Sequence, residues 1–198
     1  MANPRKSPYI WIKWLASIMS GEVTCHWQGW FQSQNQLTEK QSSDFDLIGW
    51  TINHTKILTE LKDKLIEEGY NPLIEQSINH KIPDSNVEIA GKPDCIIEKD
   101  NKVIVYDCKT GKERVSDQVQ VMLYMYLLSK GKFSEKQIKG VVMYKDKEIE
   151  ISDLPEDFEE NFEFFVNVLS SLKSPMKNPG SNCRFCSITK NDCPERMD

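Results

Sequence analysis

Apolar side chains recur along the chain with two different periods, and each period predicts a different kind of element. Stretches in which they return every three or four positions predict helices, and short runs rich in β-branched and aromatic residues predict strands. The predicted helices cover residues 8–20, about 44–68, about 117–130 and a final stretch that opens at Pro155. The predicted strands cover residues 73–79, 87–98, 102–109, 138–144 and 147–151, and the polar residues 33–43 predict a loop. This alternation of helices and strands predicts an α/β domain with a mixed central sheet.

Composition and charge narrow the class of protein. The chain has 198 residues, of which 39% are hydrophobic and 28% charged, which is typical of a globular domain and excludes a disordered or fibrous protein. Its net charge is −5, from 25 Lys+Arg against 30 Asp+Glu, which excludes nucleic-acid binding through overall basicity. A local basic face stays open, because residues 99–145 carry ten Lys+Arg against five Asp+Glu.

No stretch of the sequence predicts a membrane span. The most apolar early stretch, residues 9–19, is interrupted by Lys13 and is shorter than the roughly 20 apolar residues that a span requires. Ser7-Pro8 before it is better explained as the start of a helix than as part of a signal peptide. We therefore expect a cytoplasmic protein with no membrane partner, in which cysteines stay reduced and clustered cysteines indicate a bound metal.

A predicted hairpin carries two acidic residues and a lysine. Two β-rich runs flank Asp100-Asn101, which is typical of a tight turn. A turn centred on this pair places Asp94 directly opposite Asp107. Because strand side chains alternate between the two faces of a sheet, Asp94, Asp107 and Lys109 are predicted to share one face.

Two carboxylates that face each other across neighbouring strands repel unless a cation lies between them. Oxygen ligands favour Mg²⁺ or Mn²⁺, so Asp94 and Asp107 predict a site for one of these ions. Lys109 beside such an ion could orient an attacking water or stabilise negative charge on a phosphate. The alternative is a solvated hairpin face with an ordinary Asp–Lys ion pair.

Three further polar residues fall on otherwise apolar helix faces. Gln120 and Tyr124 lie one turn apart on the predicted helix 117–130, where they could hold a phosphate or brace the lysine. The alternative for these two is a satisfied polar group and a packing residue. His54 lies on the leucine face of the predicted helix 44–68. It is either a hydrogen-bonded core residue or, if that helix packs over the acidic hairpin, a metal ligand.

Four of the six cysteines have the spacing of metal ligands. Cys183 and Cys186 form a CxxC pair, Cys193-Pro194 follows closely, and Cys25 or His26 could supply the fourth ligand from the other end of the chain. Such a site would clip the two terminal segments together. Zinc and a 4Fe–4S cluster both accept four thiolates, and the terminal Cys-Pro favours iron–sulfur; the alternative is free thiols in a tail. The other two cysteines, Cys95 and Cys108 on the hairpin strands, are predicted to be buried and to pack as small apolar side chains.

Taken in chain order, these residues resemble a known nuclease signature. Pro93-Asp94 and Asp107-Cys108-Lys109 resemble the PD-(D/E)XK motif. Gln120 to Tyr124 resembles the QxxxY motif of its RecB-like branch, and His54 resembles the motif-I histidine of that branch. The cysteine pattern resembles the split iron–sulfur ligation of CRISPR-associated RecB-like exonucleases and of AddB-type helicase–nucleases. The small size and the lack of a helicase module favour the stand-alone CRISPR-associated type.

The resemblance implies an α/β fold of the restriction-endonuclease-like (PD-(D/E)XK) type. In this fold helices flank a mixed central sheet, and an iron–sulfur clip would join the N- and C-terminal segments. It implies a single RecB-like nuclease domain over residues 1–198. Residues 44–173 would form the nuclease core, and residues 1–43 and 174–198 would contribute the cysteine site.

The resemblance also implies an activity and a set of site residues. The activity is that of a Mg²⁺- or Mn²⁺-dependent deoxyribonuclease, an exonuclease rather than an endonuclease, that acts on single-stranded DNA ends or overhangs. In the CRISPR branch it would trim spacer precursors beside the integrase proteins. The implied metal ligands are His54, Asp94, Asp107 and the carbonyl of Cys108. The implied catalytic residues are Asp94, Asp107, Lys109, Gln120 and Tyr124. The implied 4Fe–4S ligands, with zinc as the other metal that fits, are Cys25, Cys183, Cys186 and Cys193.

Two other classes of function fit parts of the same pattern. One is a non-catalytic module that binds nucleic acid or a protein partner and retains the fold and the cluster. The intact Asp94, Asp107 and Lys109 argue against it. The other is a zinc-stapled α/β scaffold with no role on DNA, which the metal content of the cysteine site would distinguish.

Overall fold

The computed structural model describes residues 2–42 and 45–197, and their backbone forms a mixed α/β fold. The helices are α1 (Ile12–Met19), α2 (His26–Gln34), α3 (Leu47–Glu67), α4 (Val115–Ser129) and α5 (Phe158–Ser170), with a short 3-10 helix at Ser181–Phe185. The strands are β1 (Ala2–Pro4), β2 (Tyr9–Trp11), β3 (Asn35–Leu37), β4 (Leu73–Ile74), β5 (Ile78–Lys81), β6 (Glu88–Gly91), β7 (Cys95–Lys99), β8 (Lys102–Lys109), β9 (Gln137–Tyr144) and β10 (Glu148–Ile151). Two compact units result, one of Met1–Phe45, Lys81–Ala90 and Asp157–Asp198 and one of Asp46–His80 and Gly91–Glu156.

The unit of Asp46–His80 and Gly91–Glu156 contains a five-stranded sheet in the order β10-β9-β8-β7-β4. β8 and β9 are parallel, and the other neighbouring pairs are antiparallel. The parallel pair needs a crossover, which α4 provides. The predicted mixed sheet is therefore confirmed.

Helices α3 and α4 cover opposite faces of this sheet. The α3 face is an apolar cluster of Leu61, Leu65, Cys95, Ile97, Tyr106, Cys108 and Val141. On the α4 face, Gly140 lets the helix approach closely, because a Cβ there would lie 2.2 Å from Cγ1 of Val121 and 2.8 Å from Sδ of Met125. Since α3 packs on the β7–β8 hairpin, the predicted leucine face of this helix is confirmed.

The other unit packs α1, α2 and α5 together beside a parallel pair of strands, β2 and β6. α2 approaches its neighbours closely at Gly29, where a Cβ would lie 2.3 Å from Cδ1 of Ile18 and 2.9 Å from Cδ2 of Leu169. Trp27 is buried there and stacks on Phe31 with ring centroids 4.8 Å apart. Trp27, Phe158 and Phe162 thus add aromatic side chains to a core that is otherwise mostly aliphatic.

Several predicted boundaries are wrong, and two of these errors come from strand pairing. The helix predicted for residues 8–20 begins only at Ile12, because Tyr9–Trp11 pairs with β6 instead. The loop predicted for residues 33–43 contains β3, which pairs with β1, and follows the unpredicted α2. The strand predicted for residues 87–98 is two strands, and the final helix opens at Phe158 rather than at Pro155.

The predicted start of the second helix, Asp44, lies outside the described residues. The described helix α3 begins at Leu47, and its N-cap Asp46 accepts a hydrogen bond from the backbone N–H of Gly49 at 2.9 Å. Its predicted end is confirmed, because Gly69 follows with a φ of +82°, a backbone angle that favours glycine. Within the described part of the chain, no helix is both long and apolar enough to cross a membrane.

Candidate active site

The β7–β8 hairpin has the predicted register. Cys95 pairs with Tyr106 and Lys99 with Lys102, so the turn is centred on Asp100-Asn101. Asp94 directly precedes the first of these pairs and Asp107 directly follows it, which brings both side chains to the same end of the hairpin. Both are buried, with 9% and 3% of their surface exposed. Burial of two carboxylates at one place requires compensating charge or hydrogen bonds.

Asp94 is held by two donors on the same oxygen. Its Oδ2 accepts a 2.6 Å hydrogen bond from the backbone N–H of Cys108 and lies 3.2 Å from Nε2 of His54. The hydrogen bond with Asp94 raises the pKa of His54 above its ordinary value. Trp50 stacks on the His54 ring, with centroids 4.9 Å apart and planes 22° apart. α3 therefore brings His54 to the acidic hairpin, which is the arrangement that a metal-ligand role requires.

Asp107 and Lys109 form an ion pair in which the carboxylate is buried and the lysine side chain is 20% exposed. Oδ2 of Asp107 lies 2.5 Å from Nζ of Lys109 and has no other partner. Burial raises the pKa of Asp107, while Lys109 opposes that rise. Burial alone would lower the pKa of Lys109, but Asp107 and the nearby carboxylates raise it above its ordinary value. The ammonium of Lys109 is thus kept charged by the acidic groups around it.

Gln120 connects the ion pair to α4. Its Nε2 donates to Oδ1 of Asp107 at 3.1 Å and to the hydroxyl of Tyr124 at 3.0 Å. Its Oε1 accepts a 3.0 Å hydrogen bond from Nζ of Lys109. Burial raises the pKa of Tyr124, so its hydroxyl stays protonated. The helical spacing of Gln120 and Tyr124 places both side chains on the sheet, next to the acidic hairpin.

Two residues that the sequence analysis did not assign to the site complete the network. Asp117 is 9% exposed, and its Oδ1 lies 3.6 Å from Nζ of Lys109. Tyr144 donates a 2.8 Å hydrogen bond from its hydroxyl to Oδ2 of Asp117. Asp117 carries a sequence signal, because it falls one turn before Gln120 on the same helix face. Tyr144 carries none, since its place depends on the pairing of β8 with β9, in which it faces Lys109.

The charge and the donors of the site suit a hard divalent cation. Asp94 and Asp107 supply two carboxylates and His54 an imidazole nitrogen, while Asp117 adds a third negative charge beside Lys109. Carboxylate oxygens and imidazole are ligands that Mg²⁺ and Mn²⁺ accept. No group of three or more His, Cys, Asp or Glu side chains in residues 2–42 and 45–197 is positioned to hold a metal ion. At this site Lys109 neutralises Asp107 and His54 contacts Asp94 instead.

Cys108 and Cys95 point away from the acidic groups, as predicted. Both side chains are buried in the apolar cluster under α3. Burial raises the pKa of the Cys95 thiol to about 12 and also raises that of Cys108, so both thiols stay protonated. Cys108 contributes its backbone N–H to the site through Asp94, and its predicted carbonyl ligand stays a prediction.

The other four cysteines gather around one cavity in the unit that contains both chain ends. Cys25, Cys183, Cys186 and Cys193 all line it, together with Lys177 and Arg196. Backbone N–H groups of Asn178 and Gly180 donate to Sγ of Cys25 and Cys183, each at 3.4 Å. Arg196 is buried and donates from Nη1 to the carbonyl oxygens of Cys186 and Ile188. Thiols that receive N–H donors beside cationic groups have the chemistry of ligands for iron–sulfur clusters or zinc.

Comparison with known proteins identifies a family, and solved structures resemble the fold. The sequence matches the model of the PD-(D/E)XK nuclease superfamily over residues 4–192. No curated protein matches it. A solved structure named SSO0001 has 18% identity and a TM-score of 0.57, over 98% of this chain and 89% of that chain. LHK-Exo in complex with dAMP has 12% identity and a TM-score of 0.45, over 81% of this chain and 85% of that chain.

Proposed function

Because the chain belongs to the PD-(D/E)XK nuclease superfamily, we propose that it is a metal-dependent deoxyribonuclease with its active site at Asp94, Asp107 and Lys109. The family confirms the predicted PD-(D/E)XK resemblance and supports the nuclease class. The observation that carries the proposed site is the buried network in which Gln120 joins Asp107 to Lys109. A solvated hairpin face, the alternative reading of these residues, would not be buried or bridged in this way.

The proposed roles follow from the contacts of each side chain. Asp94, Asp107 and His54 would hold Mg²⁺ or Mn²⁺, with the carbonyl of Cys108 as a further ligand. When bound, such an ion stabilises charge on a phosphate oxygen and lowers the pKa of a water. Lys109 would place its ammonium beside the scissile phosphate and the attacking water. Gln120 and Tyr124 would fix the position of that ammonium and of the substrate.

The proposed substrate is single-stranded DNA at ends or overhangs. We propose that the protein degrades it from an end, as an exonuclease does. Lys112 and Arg114 support a nucleic-acid substrate, because both are exposed just before α4 and close in sequence to the site. Such contacts to phosphates weaken with rising salt. The trimming of CRISPR spacer precursors beside integrase proteins, in the cytoplasm, belongs to the same proposal and is supported by the sequence resemblance alone.

The second proposed cofactor is a 4Fe–4S cluster held by Cys25, Cys183, Cys186 and Cys193. The shared cavity and the N–H donors to two of the sulfurs support it. Zinc is the other metal that four thiolates would accept. In either case the group would join the start of α2 to the C-terminal segment and stabilise the unit to which both belong.

A nuclease assay on anaerobically purified protein tests the proposal. End-labelled single-stranded and duplex DNA are incubated with Mn²⁺, with Mg²⁺ or with EDTA, using the wild type, Asp107→Asn and Asp146→Asn. Asp146 is an exposed aspartate in the turn between β9 and β10 and is the matched control. We expect metal-dependent cleavage that falls at least about 100-fold in Asp107→Asn and is unchanged in Asp146→Asn.

Two results would contradict the proposal. Cleavage that survives in Asp107→Asn would place the active site elsewhere. A folded wild type that binds DNA without cleaving it in either metal would favour the non-catalytic binding module. The ladder of products separates stepwise digestion from an end, as expected of an exonuclease, from internal cuts.

A further inference from the structure

The ion pair between Lys109 and Asp107 competes with a cation for the same oxygen. Nζ of Lys109 lies 2.5 Å from Oδ2 of Asp107, and this oxygen has no other partner. Oδ1 of the same carboxylate already accepts a hydrogen bond from Gln120. For Oδ2 to ligate a divalent cation, the ammonium of Lys109 must move away, because two cations at one buried oxygen repel strongly.

Asp117 offers the displaced ammonium a second anion. Its Oδ1 lies 3.6 Å from the same Nζ, so a small movement of the lysine reaches the roughly 2.8 Å of a charge-assisted hydrogen bond. Asp117 is buried in the first turn of α4, where the positive end of the helix dipole stabilises a carboxylate. A buried ammonium that lost Asp107 without such a partner would be costly.

Tyr144 holds Asp117 in the orientation that this exchange needs. Its hydroxyl donates to Oδ2 of Asp117 at 2.8 Å, which leaves Oδ1 for the lysine. The backbone N–H of Arg114 approaches the same hydroxyl at 3.4 Å, on its acceptor side. Burial raises the pKa of Tyr144, so the hydroxyl stays a donor. Tyr144 is also the strand partner of Lys109, which fixes the distance between β8 and β9 at this point.

We propose that Asp117, oriented by Tyr144, is a positioning residue that takes over Lys109 from Asp107 when a divalent cation binds. The inference rests on the proposed metal site of the nuclease. It assigns Asp117 and Tyr144 no contact with DNA or with the cation. Their effect on cation binding passes entirely through Lys109, and this separates the proposal from a general effect of charge or stability.

The test is a double-mutant cycle on Mn²⁺ binding, measured by calorimetry without DNA. Asp117→Asn and Tyr144→Phe are each made in the wild type and in a Lys109→Ala background. Glu113→Gln and Tyr126→Phe are the matched controls. Glu113 is an exposed carboxylate just before α4 that pairs with Lys147, and Tyr126 is a buried tyrosine further along α4. Thermal melts followed by circular dichroism verify that each variant folds.

The expected pattern has three parts. Asp117→Asn weakens Mn²⁺ binding about tenfold, and Tyr144→Phe weakens it by about two- to fivefold, although it changes no charge. Lys109→Ala binds Mn²⁺ at least as tightly as the wild type, because the competing ammonium is gone. In the Lys109→Ala background neither Asp117→Asn nor Tyr144→Phe has a further effect, and both controls bind as their parent does.

Several outcomes would overturn the inference. One is an unchanged Mn²⁺ affinity in both Asp117→Asn and Tyr144→Phe. Another is a loss of affinity that persists without Lys109, which would indicate direct electrostatics or altered packing. If the wild type cleaves DNA but Asp117→Asn and Tyr144→Phe leave the Mn²⁺ affinity unchanged, this inference is refuted and the nuclease function stands. If the variants show the expected pattern of Mn²⁺ binding but the wild type does not cleave DNA, the nuclease function is refuted and this inference stands. A wild type that binds no Mn²⁺ would refute both.

Discussion

At the scale of single residues, Gln120 links the other side chains of the candidate site into one hydrogen-bonded network. Its amide nitrogen donates to Asp107 and to Tyr124, and its amide oxygen accepts from Lys109. One neutral side chain therefore satisfies an anion, a cation and a phenol in a buried place. Replacing it leaves the buried Oδ1 of Asp107 without its hydrogen bond and removes one partner each from Lys109 and Tyr124, and an unpartnered buried polar atom is the costly case.

We expect Gln120→Ala to lower the free energy of unfolding by about 1–3 kcal/mol and nuclease activity by at least about tenfold. Tyr124→Phe removes the hydroxyl that accepts a hydrogen bond from Gln120 and also bonds the backbone of Lys92, and it should lower the free energy of unfolding by about 0.5–1.5 kcal/mol for each bond lost. Urea unfolding and the cleavage assay measure the two effects. Gln118→Ala, a half-buried glutamine on the same helix, is the control. Equal losses in Gln118→Ala and Gln120→Ala would show that the network adds nothing.

At the scale of elements, the contact between α4 and β9 sets the distance between Gln120 and the hairpin. Gly140 permits this contact, because a Cβ there would meet the side chains of Val121 and Met125. Val121 follows Gln120 directly in the chain. A shift of α4 away from the sheet would therefore also move Gln120 away from Asp107.

We expect Gly140→Ala to lower the free energy of unfolding by about 1–3 kcal/mol, because the added methyl overpacks the α4–β9 contact. Cleavage activity should fall as well, since catalytic geometry tolerates little displacement. Gly111→Ala is the matched control, as nothing lies within 4 Å of a Cβ at Gly111. Chemical unfolding compares the two variants. A Gly140→Ala protein as stable and active as Gly111→Ala would mean that α4 repacks without cost.

At the scale of the whole molecule, the cysteine cavity joins segments from the two ends of the chain. Cys25 lies at the start of α2, and the three other cysteines lie in the C-terminal segment of the same unit. A bound metal there would close a very long loop. Closing such a loop restricts the unfolded chain and couples metal binding to folding.

We expect anaerobically purified protein to contain iron and sulfide and to absorb near 400 nm, and Cys183→Ser to lose most of both. Loss of a structural metal removes several kcal/mol of stability, so the Tm should fall by about 10 °C or more. Elemental analysis and thermal melts measure these changes. Cys95→Ala, at a buried cysteine outside the cavity, should keep the metal. Zinc in place of iron would replace the proposed cluster, and a metal-free folded wild type would refute a metal site there.

The sequence by itself determined the parts of this protein that depend on local pattern. The turn at Asp100-Asn101 follows from two flanking β-rich runs, and it already placed Asp94, Asp107 and Lys109 together. Helical spacing brought Gln120 and Tyr124 to one face of α4, and His54 to the packed face of α3. These features are readable because turn chemistry and side-chain period act between residues that are close in the chain.

Only the tertiary structure decided which distant segments meet. Tyr9–Trp11 became a strand rather than the start of a helix because β6 was available to pair with it. Tyr144 reached Asp117 because β9 lies parallel to β8, in a register that no local pattern specifies. Pairing of this kind is chosen by the burial and hydrogen bonding of the whole sheet at once. The ion pair of Lys109 with Asp117, and the hydrogen bond from Tyr144 that orients Asp117, are therefore visible only in the folded chain.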